Sequence, residues 1–347
     1  MWPVGTALAV IFAAAIVVAV GAFLTGWNLL GAHGLKPEHQ LTTSTLFDLV
    51  KLSFGVVAGS GALVALVVAY RRQRVDEDGA LREATRLHTE GFTTAVSQLG
   101  EDSPAVRLGG VHALFGLAND APTQDLRQTC IDVLCAYLRL PSPSDPGNLP
   151  DGTSPSEEQR AAHRDKKDLY LGMREVRHTI LRLIGDHYRI PEGMHRSWQG
   201  CNLDLTGVTI DGVMDFHGAV FSKGTVSFEG ASISGRVLFF ICAGFFGGEV
   251  SFRDATFDSD MVAFDGAIFS GGVVAFDRAT FDGGSVSFAG ATFSGSEVSF
   301  RNVKFSGGQV PFDNATGPVP IGLLDAVSAT SATETVTLPP SWQNPNP

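Results

Sequence analysis

Proton transfer, metal binding and covalent chemistry would fall to the histidines, cysteines and regularly spaced aspartates of this 347-residue chain. Their spacing argues against each. His178 and His187 are nine residues apart, whereas two ligands on one helical face need an i, i+4 spacing. His163 sits inside the charge run Arg160 to Asp168, which reads as a solvated helix face. Cys130 and Cys135 are five apart on a helical stripe and so point in different directions. No C-x-x-C pair joins any of the four cysteines (Cys130, Cys135, Cys201, Cys242), which read as free, buried thiols in a reducing compartment. Asp254, Asp265, Asp277 and Asp282 recur as calcium ligands would. The calcium-binding β-roll, however, repeats a unit of about nine residues in G-G-x-G-x-D order, and both period and order differ here. The glycine pairs lack the strand–loop–helix context and the G-x-x-x-x-G-K-[ST] order of a phosphate loop. No catalytic, cofactor-binding or metal-binding residue is assigned, no cofactor is expected, and the chain is read as not an enzyme. An enzyme reading would need an apolar pocket with convergent polar groups between Gly91 and Arg189.

The element that positions most of these residues is a repeat from Met214 to Phe312. One column holds Phe216, Phe228, Phe240, Phe252, Phe264, Phe276, Phe288, Phe300 and Phe312, each twelve residues after the last. A second holds Phe221, Ile233, Phe245, Phe257, Phe269, Phe281, Phe293 and Phe305. Valine and alanine columns run beside them, giving the unit V-x-F-x-x-A-x-F-x-G-G-x. Residues two apart in extended chain share a face, so each unit holds two very short strands that send apolar side chains inward. Polar pairs such as Arg253-Asp254 and Asp277-Arg278 lie between the strands, and glycine pairs turn the corners. A single unit cannot bury its phenylalanines; stacked coils can. Two units per coil give a coil of about 24 residues, and the array then makes roughly four to five coils, near 20 Å of solenoid.

The five-residue step from Phe252 to Phe257, with a small or β-branched residue two before each Phe, resembles the A-(D/N)-(L/F)-x-x pattern of pentapeptide-repeat proteins. Cys201-Asn202-Leu203, followed by Val208 and Val213, continues that step upstream. The resemblance covers about 115 of the 347 residues and implies an all-β right-handed quadrilateral β-helix. Each second pentapeptide here is two residues longer, a 5 + 7 variant.

Three other modules flank the array, making a multi-domain membrane protein. Residues 1–72 read as a transmembrane hairpin with helices over about 3–30 and 46–71: neither Met1 to Gly34 nor the apolar run Leu52 to Tyr70 carries a charged side chain. Trp2 and Trp27 suit the bilayer interfaces, and Gly55 and Gly59 form a small-xxx-small packing motif. Arg71, Arg72 and Arg74 follow the second span and place the rest of the chain on the cytoplasmic side of the plasma membrane. Residues 73–198 form a small all-α domain, with D-x-x-V-R-L-G-G-V-x-A-L similar to one degenerate HEAT-type repeat. Trp198 is expected to cap the first coil. Residues 199–317 are the solenoid. Residues 318–347 are a cap at Ile321, Leu323, Leu324 and Val327 followed by a disordered tail from Ala329.

Function follows only coarsely. Fifteen acidic and six basic residues fall in 200–347, a net of −9 out of −11 for the chain. That balance argues against direct nucleic-acid binding and permits a basic partner. The expectation is a membrane-tethered, non-enzymatic scaffold for a protein partner of unknown identity. Arg253, Asp254, Asp277, Arg278 and Arg301 are the partner-facing positions, and homo-oligomers are allowed through Gly55 and Gly59. The alternative draws on the resemblance: some pentapeptide-repeat proteins use an acidic solenoid as a DNA mimic that acts on a topoisomerase.

Overall fold

The computed structural model describes residues 43–149, 156–235, 237–329 and 335–343, with scattered positions between Ala13 and Asn28. Most of the first expected span therefore lies outside the described residues; the scattered positions within it are helical. The chain divides into two compact units, Met1–Ala84 and Thr85–Pro347.

In the first unit the second apolar run lies on α1, Thr43–Leu99. The helix holds an 18-residue window of mean hydropathy 2.2 with none of it buried. Length and composition suffice to cross a bilayer. The second span is expected to end at about residue 71, with a separate domain from residue 73, but α1 is continuous for 57 residues. The cause is local: 72–80 contains no proline, and polar helix formers pair at i, i+4, with Gln73 donating to Glu77 at 2.9 Å. A Cβ built on Gly55 or Gly59 meets nothing within 4 Å, so neither glycine is in a helix–helix contact among the described residues.

The second unit begins with the end of α1, where Ala95 and Leu99 are buried, and continues with three helices whose starts are written locally. Pro104 occupies the first turn of α2, Pro104–Asn119. Thr123 caps α3, Gln124–Arg139, by accepting from the Leu126 amide. Ser156 and Gln159 form a capping box on α4, Glu157–Tyr188. Val111, Leu114, Ile131, Leu134, Val176, Ile180 and Ile184 fill the space between them.

The solenoid follows, with every strand pairing in parallel to the strand one coil away. The register is 24 residues through the array, as in Val226 to Val250 and Val262 to Val286. The first coil is one residue shorter: Leu203 pairs with Val226 and Thr209 with Ser232. Four faces result. In chain order, one coil presents Thr225–Ser227, Ser232–Ile233, Val237–Phe239 and then the start of Gly244–Ser251. We call these the first to fourth faces. The missing residue sits in the Asp211-Gly212 corner, and it shifts the pattern there: Val213 is 48% exposed and Met214 is the inward residue. Continuing the five-residue step to Val213 is thus corrected.

The two phenylalanine columns become four stacks, because alternate units face different sides of the coil. Phe216, Phe240, Phe264, Phe288 and Phe312 stack at centroid separations of 5.0, 4.7, 4.8 and 4.7 Å. Phe228, Phe252, Phe276 and Phe300 form a second stack, roughly perpendicular to the first. Phe221, Phe245, Phe269 and Phe293 form the third; Ile233, Phe257, Phe281 and Phe305 align as the fourth.

Both open ends are covered. At the first coil the cover is Tyr188, the last residue of α4. Its ring lies 5.5 Å from Phe216 and 5.6 Å from Phe221, and its hydroxyl donates to the Cys201 carbonyl at 2.6 Å. Trp198, the expected cap, instead stacks on Phe115 of α2 at 4.7 Å and 7°. The helix comes this close because residue 185 is glycine: a Cβ there would lie 2.6 Å from the Asp215 carbonyl oxygen. Arg177 ties the same seam, donating to Leu138 O at 2.7 Å and Thr209 O at 3.2 Å. At the last coil, Leu323, Ala326 and Val327 of the short helix Leu323–Ala329 are buried. The tail does more than sequence suggests. Val336–Thr337 pairs with Val310–Pro311, and Trp342 sets its ring 5.6 Å from both Phe293 and Phe312. A disordered tail is therefore corrected for 335–343; residues 330–334 and 344–347 lie outside the described residues.

His187, packed 4.7 Å from Trp198 and 5.2 Å from Phe115, donates its Nδ1 proton to Leu183 O at 2.7 Å. Burial lowers its pKa below the ordinary 6.5. The unfolded chain then takes up a proton that the folded chain refuses, so stability falls as pH drops below that ordinary value. His88, also lowered by burial, adds the same sign. Thermal melts are expected to show a lower midpoint at about pH 5.5 than at about pH 7, and His187→Gln is expected to reduce that difference.

Candidate interaction surface

The expected partner-facing residues all fall on one corner of the coil, between the first and second faces. There they bond to one another along the axis. Arg278 grips Asp254, one coil away, through Nε at 2.7 Å and Nη2 at 2.5 Å. That guanidinium holds the Asp254 carboxyl below the usual carboxylate range. Arg253 reaches Glu249 at 3.2 Å and Asp277 at 3.7 Å. Asp277 Oδ1 accepts from the Ser299 hydroxyl and from the Arg301 amide, the latter at 3.1 Å. The corner is a ladder that ties successive coils, and its charges are largely engaged inside the molecule.

A conformational column that residue types conceal runs through two opposite corners, with Asp254, Arg278 and Asn302 on this one and Cys242 and Asn314 on the corner between the third and fourth faces. Cys242, Asp254, Arg278, Asn302 and Asn314 have φ of 54, 57, 60, 57 and 58°. They share one twelve-residue series with glycines such as Gly230 and Gly266. A left-handed backbone at a non-glycine residue costs about 1–2 kcal/mol. Among the described residues Cys242 makes no side-chain hydrogen bond in return, and it is exposed, which corrects the expectation that all four thiols are buried. Cys242→Gly is expected to stabilise the solenoid by about 1 kcal/mol, read as a rise in the chemical denaturation midpoint.

The remaining cysteines are core. Burial pushes the Cys130 thiol up to about 11 and the Cys135 thiol to about 12, so both stay protonated. Cys130 Sγ lies 3.8 Å from His88. His178, apart from His187 as its spacing implies, meets Asp211 of the first coil at 3.3 Å. Burial raises the Asp211 carboxyl, but His178 and Arg177 outweigh it and leave the group below its ordinary range. Among the described residues no group of three or more His, Cys, Asp or Glu is placed to hold a metal. An open cleft of about 710 Å³ beside α3 is lined by Arg127, His195 and Lys223, among others. Its cations are engaged: Arg127 donates to Ala118 O, Asn119 O and Ser197 O, and Lys223 pairs with Glu192 at 2.6 Å.

Outward residues to which the sequence assigns no role form a surface on the opposite side, part of it in the irregular coil from Ile233 to Gly247. On the third face Val213 is 48% and Met261 45% exposed, while Val237 and Phe239 are half-buried. Around the next corner, on the fourth face, Phe246 is 47% and Ile268 41% exposed. The Phe246 ring folds over Gly244, where a Cβ would lie 2.4 Å away. A signal was present: these residues occupy outward positions that are more often polar in other units, chiefly Thr, Ser, Glu, Gln or Asp.

With this geometry in view, residues 264–316 match the family described as pentapeptide repeats (9 copies). The match and the four-faced solenoid together support a pentapeptide-repeat protein. Comparison with curated proteins and with solved structures finds no match. Solenoids of this kind are typically non-catalytic protein-interaction scaffolds.

Proposed function

We propose that the chain is a membrane-tethered scaffold whose solenoid presents a rigid surface to a protein partner. The observation that carries this reading is the filled solenoid itself. Inward positions are packed with Phe, Val and Ala, the ion ladder ties one corner, and both ends are covered. Recognition is left to outward side chains. The tether rests on the exposed apolar window of α1 and on the uncharged N-terminal stretch, read as two spans of the plasma membrane. Arg71, Arg72 and Arg74 then orient the helical and solenoid parts toward the cytoplasm. Arg253, Arg278 and Arg301 interrupt the acidity of the solenoid, which favours recognition of local features over mimicry of an unbroken phosphate row. Pull-down from solubilised membranes, with the full chain and with a form lacking 199–317, tests the reading. Loss of specific partners from the shortened form is expected; equal partner lists would remove the solenoid from the binding role.

A further inference from the structure

We infer that the edge joining the third and fourth faces is a docking site for a cationic amphipathic helix. The inference rests on reading the solenoid as an interaction module and names the surface and the chemistry of its occupant.

Three observations converge. First, exposed and half-buried apolar side chains gather on neighbouring rows. Val213, Val237 and Met261 align in successive coils. Phe239 stands beside Val237 on its strand, and Phe246 and Ile268 continue the band around the corner. Outward strand positions elsewhere are mostly polar, Val220 and Val273 excepted, and two columns of the same face turn to Ser285 and Ser287 one coil further on. Second, carboxylates border the Met261 end of the band, whereas Arg236 stands just before Val237 in the sequence. Asp258, Asp260 and Asp282 are exposed on the corner that leads into the third face, and none of them forms an ion pair among the described residues. The acidic residues at the ladder corner, by contrast, are paired with arginines. Third, the spacing suits a helix. Three coils span about 10 Å at about 4.8 Å per coil, close to two helical turns of about 5.4 Å. Apolar residues at i, i+3, i+4 and i+7 of a helix laid along the axis meet successive rows, and Lys or Arg at its margin meets the aspartates. The same carboxylates repel an anionic bilayer, so the charge pattern favours a protein segment over a membrane surface.

The test uses the full chain in zwitterionic nanodiscs and a fluorescently labelled synthetic helix of leucine and lysine, with empty nanodiscs subtracted. Binding by anisotropy is expected above the blank and is expected to persist in high salt, because the apolar contact is not screened. The triple substitution Val237→Ser, Phe239→Ser, Met261→Ser is expected to weaken binding at least about tenfold. It should fold, since Ser285 and Ser287 already occupy these columns, and an unchanged melting curve checks that it does. The paired change Asp254→Ser, Arg278→Ser on the opposite edge is expected to leave binding within about twofold. A peptide with glutamate in place of lysine is expected to bind at least about tenfold more weakly. Equal affinity for the triple variant, equal affinity for the glutamate peptide, or preference for anionic vesicles over the lysine peptide would overturn the assignment. The pull-down can fail while this binding succeeds, and the reverse, so the two readings are separable.

Discussion

Phe264→Ala is expected to destabilise the solenoid by about 3–5 kcal/mol, the range for deleting a buried ring. The ring is fully buried, stacked 4.7 Å below one neighbour and 4.8 Å above the other, at interplanar angles of 2° and 4°. Phe252 and Phe276 meet it edge-on at 5.8 and 5.6 Å. Each good aromatic pair adds about 0.5–1.5 kcal/mol beyond area burial, so a ring with four partners should lie at the upper end. Phe305 provides the contrast. It is 5% exposed and has one stacked partner, Phe281, at 5.3 Å and 27°. Phe305→Ala should therefore cost less than Phe264→Ala in chemical denaturation. The reverse order would show that the stacks are not the unit of stability.

Gly284→Ala is expected to be at least as damaging, on the order of 3 kcal/mol or more, by a different route. Residue 284 has φ of +59°, and a Cβ there would lie 1.7 Å from the Ser259 carbonyl oxygen. That oxygen belongs to backbone one coil away and cannot rotate aside. Gly290→Ala separates the two costs. Its φ of +66° is similar, but a Cβ there meets nothing within 4 Å. It should cost only the left-handed penalty of about 1–2 kcal/mol. Soluble yield and the denaturation midpoint of the two variants are expected to diverge accordingly; parity would place the whole effect in φ and none in the contact between coils.

The interior of the solenoid was legible because its information is periodic. A phenylalanine every twelve residues leaves few alternatives to stacking, and glycine pairs mark the corners between units. Other features depend on contacts that sequence does not order. Tyr188 reads as an ordinary last-turn aromatic; that it rather than Trp198 covers the first coil follows from where α4 lies, which Gly185 permits. Trp342 stands alone in a Thr- and Pro-rich tail, and only the open ends of two phenylalanine stacks give it a place. Asp254 and Arg278 looked like recognition residues because they are polar and variable. Their backbone is turning a corner, and their charges close a ladder. Phe239 and Met261 were hidden for the opposite reason: among so many apolar residues, an outward one resembles another piece of core. Strict alternation along the strand exposes the difference.

The register also sets a grammar for how this molecule can lengthen or shorten. Neighbouring strands pair 24 residues apart, and each coil contains two twelve-residue units. Duplicating one unit would carry everything downstream half a circuit around the axis, turning third-face residues onto the first face. Duplicating a pair would add one full storey of about 4.8 Å and leave every face in phase. Single-unit changes therefore alter which way the surface looks, whereas paired changes alter only how far it reaches. The first coil, shorter by one residue at Asp211-Gly212, shows that a corner absorbs a small deletion without breaking phase.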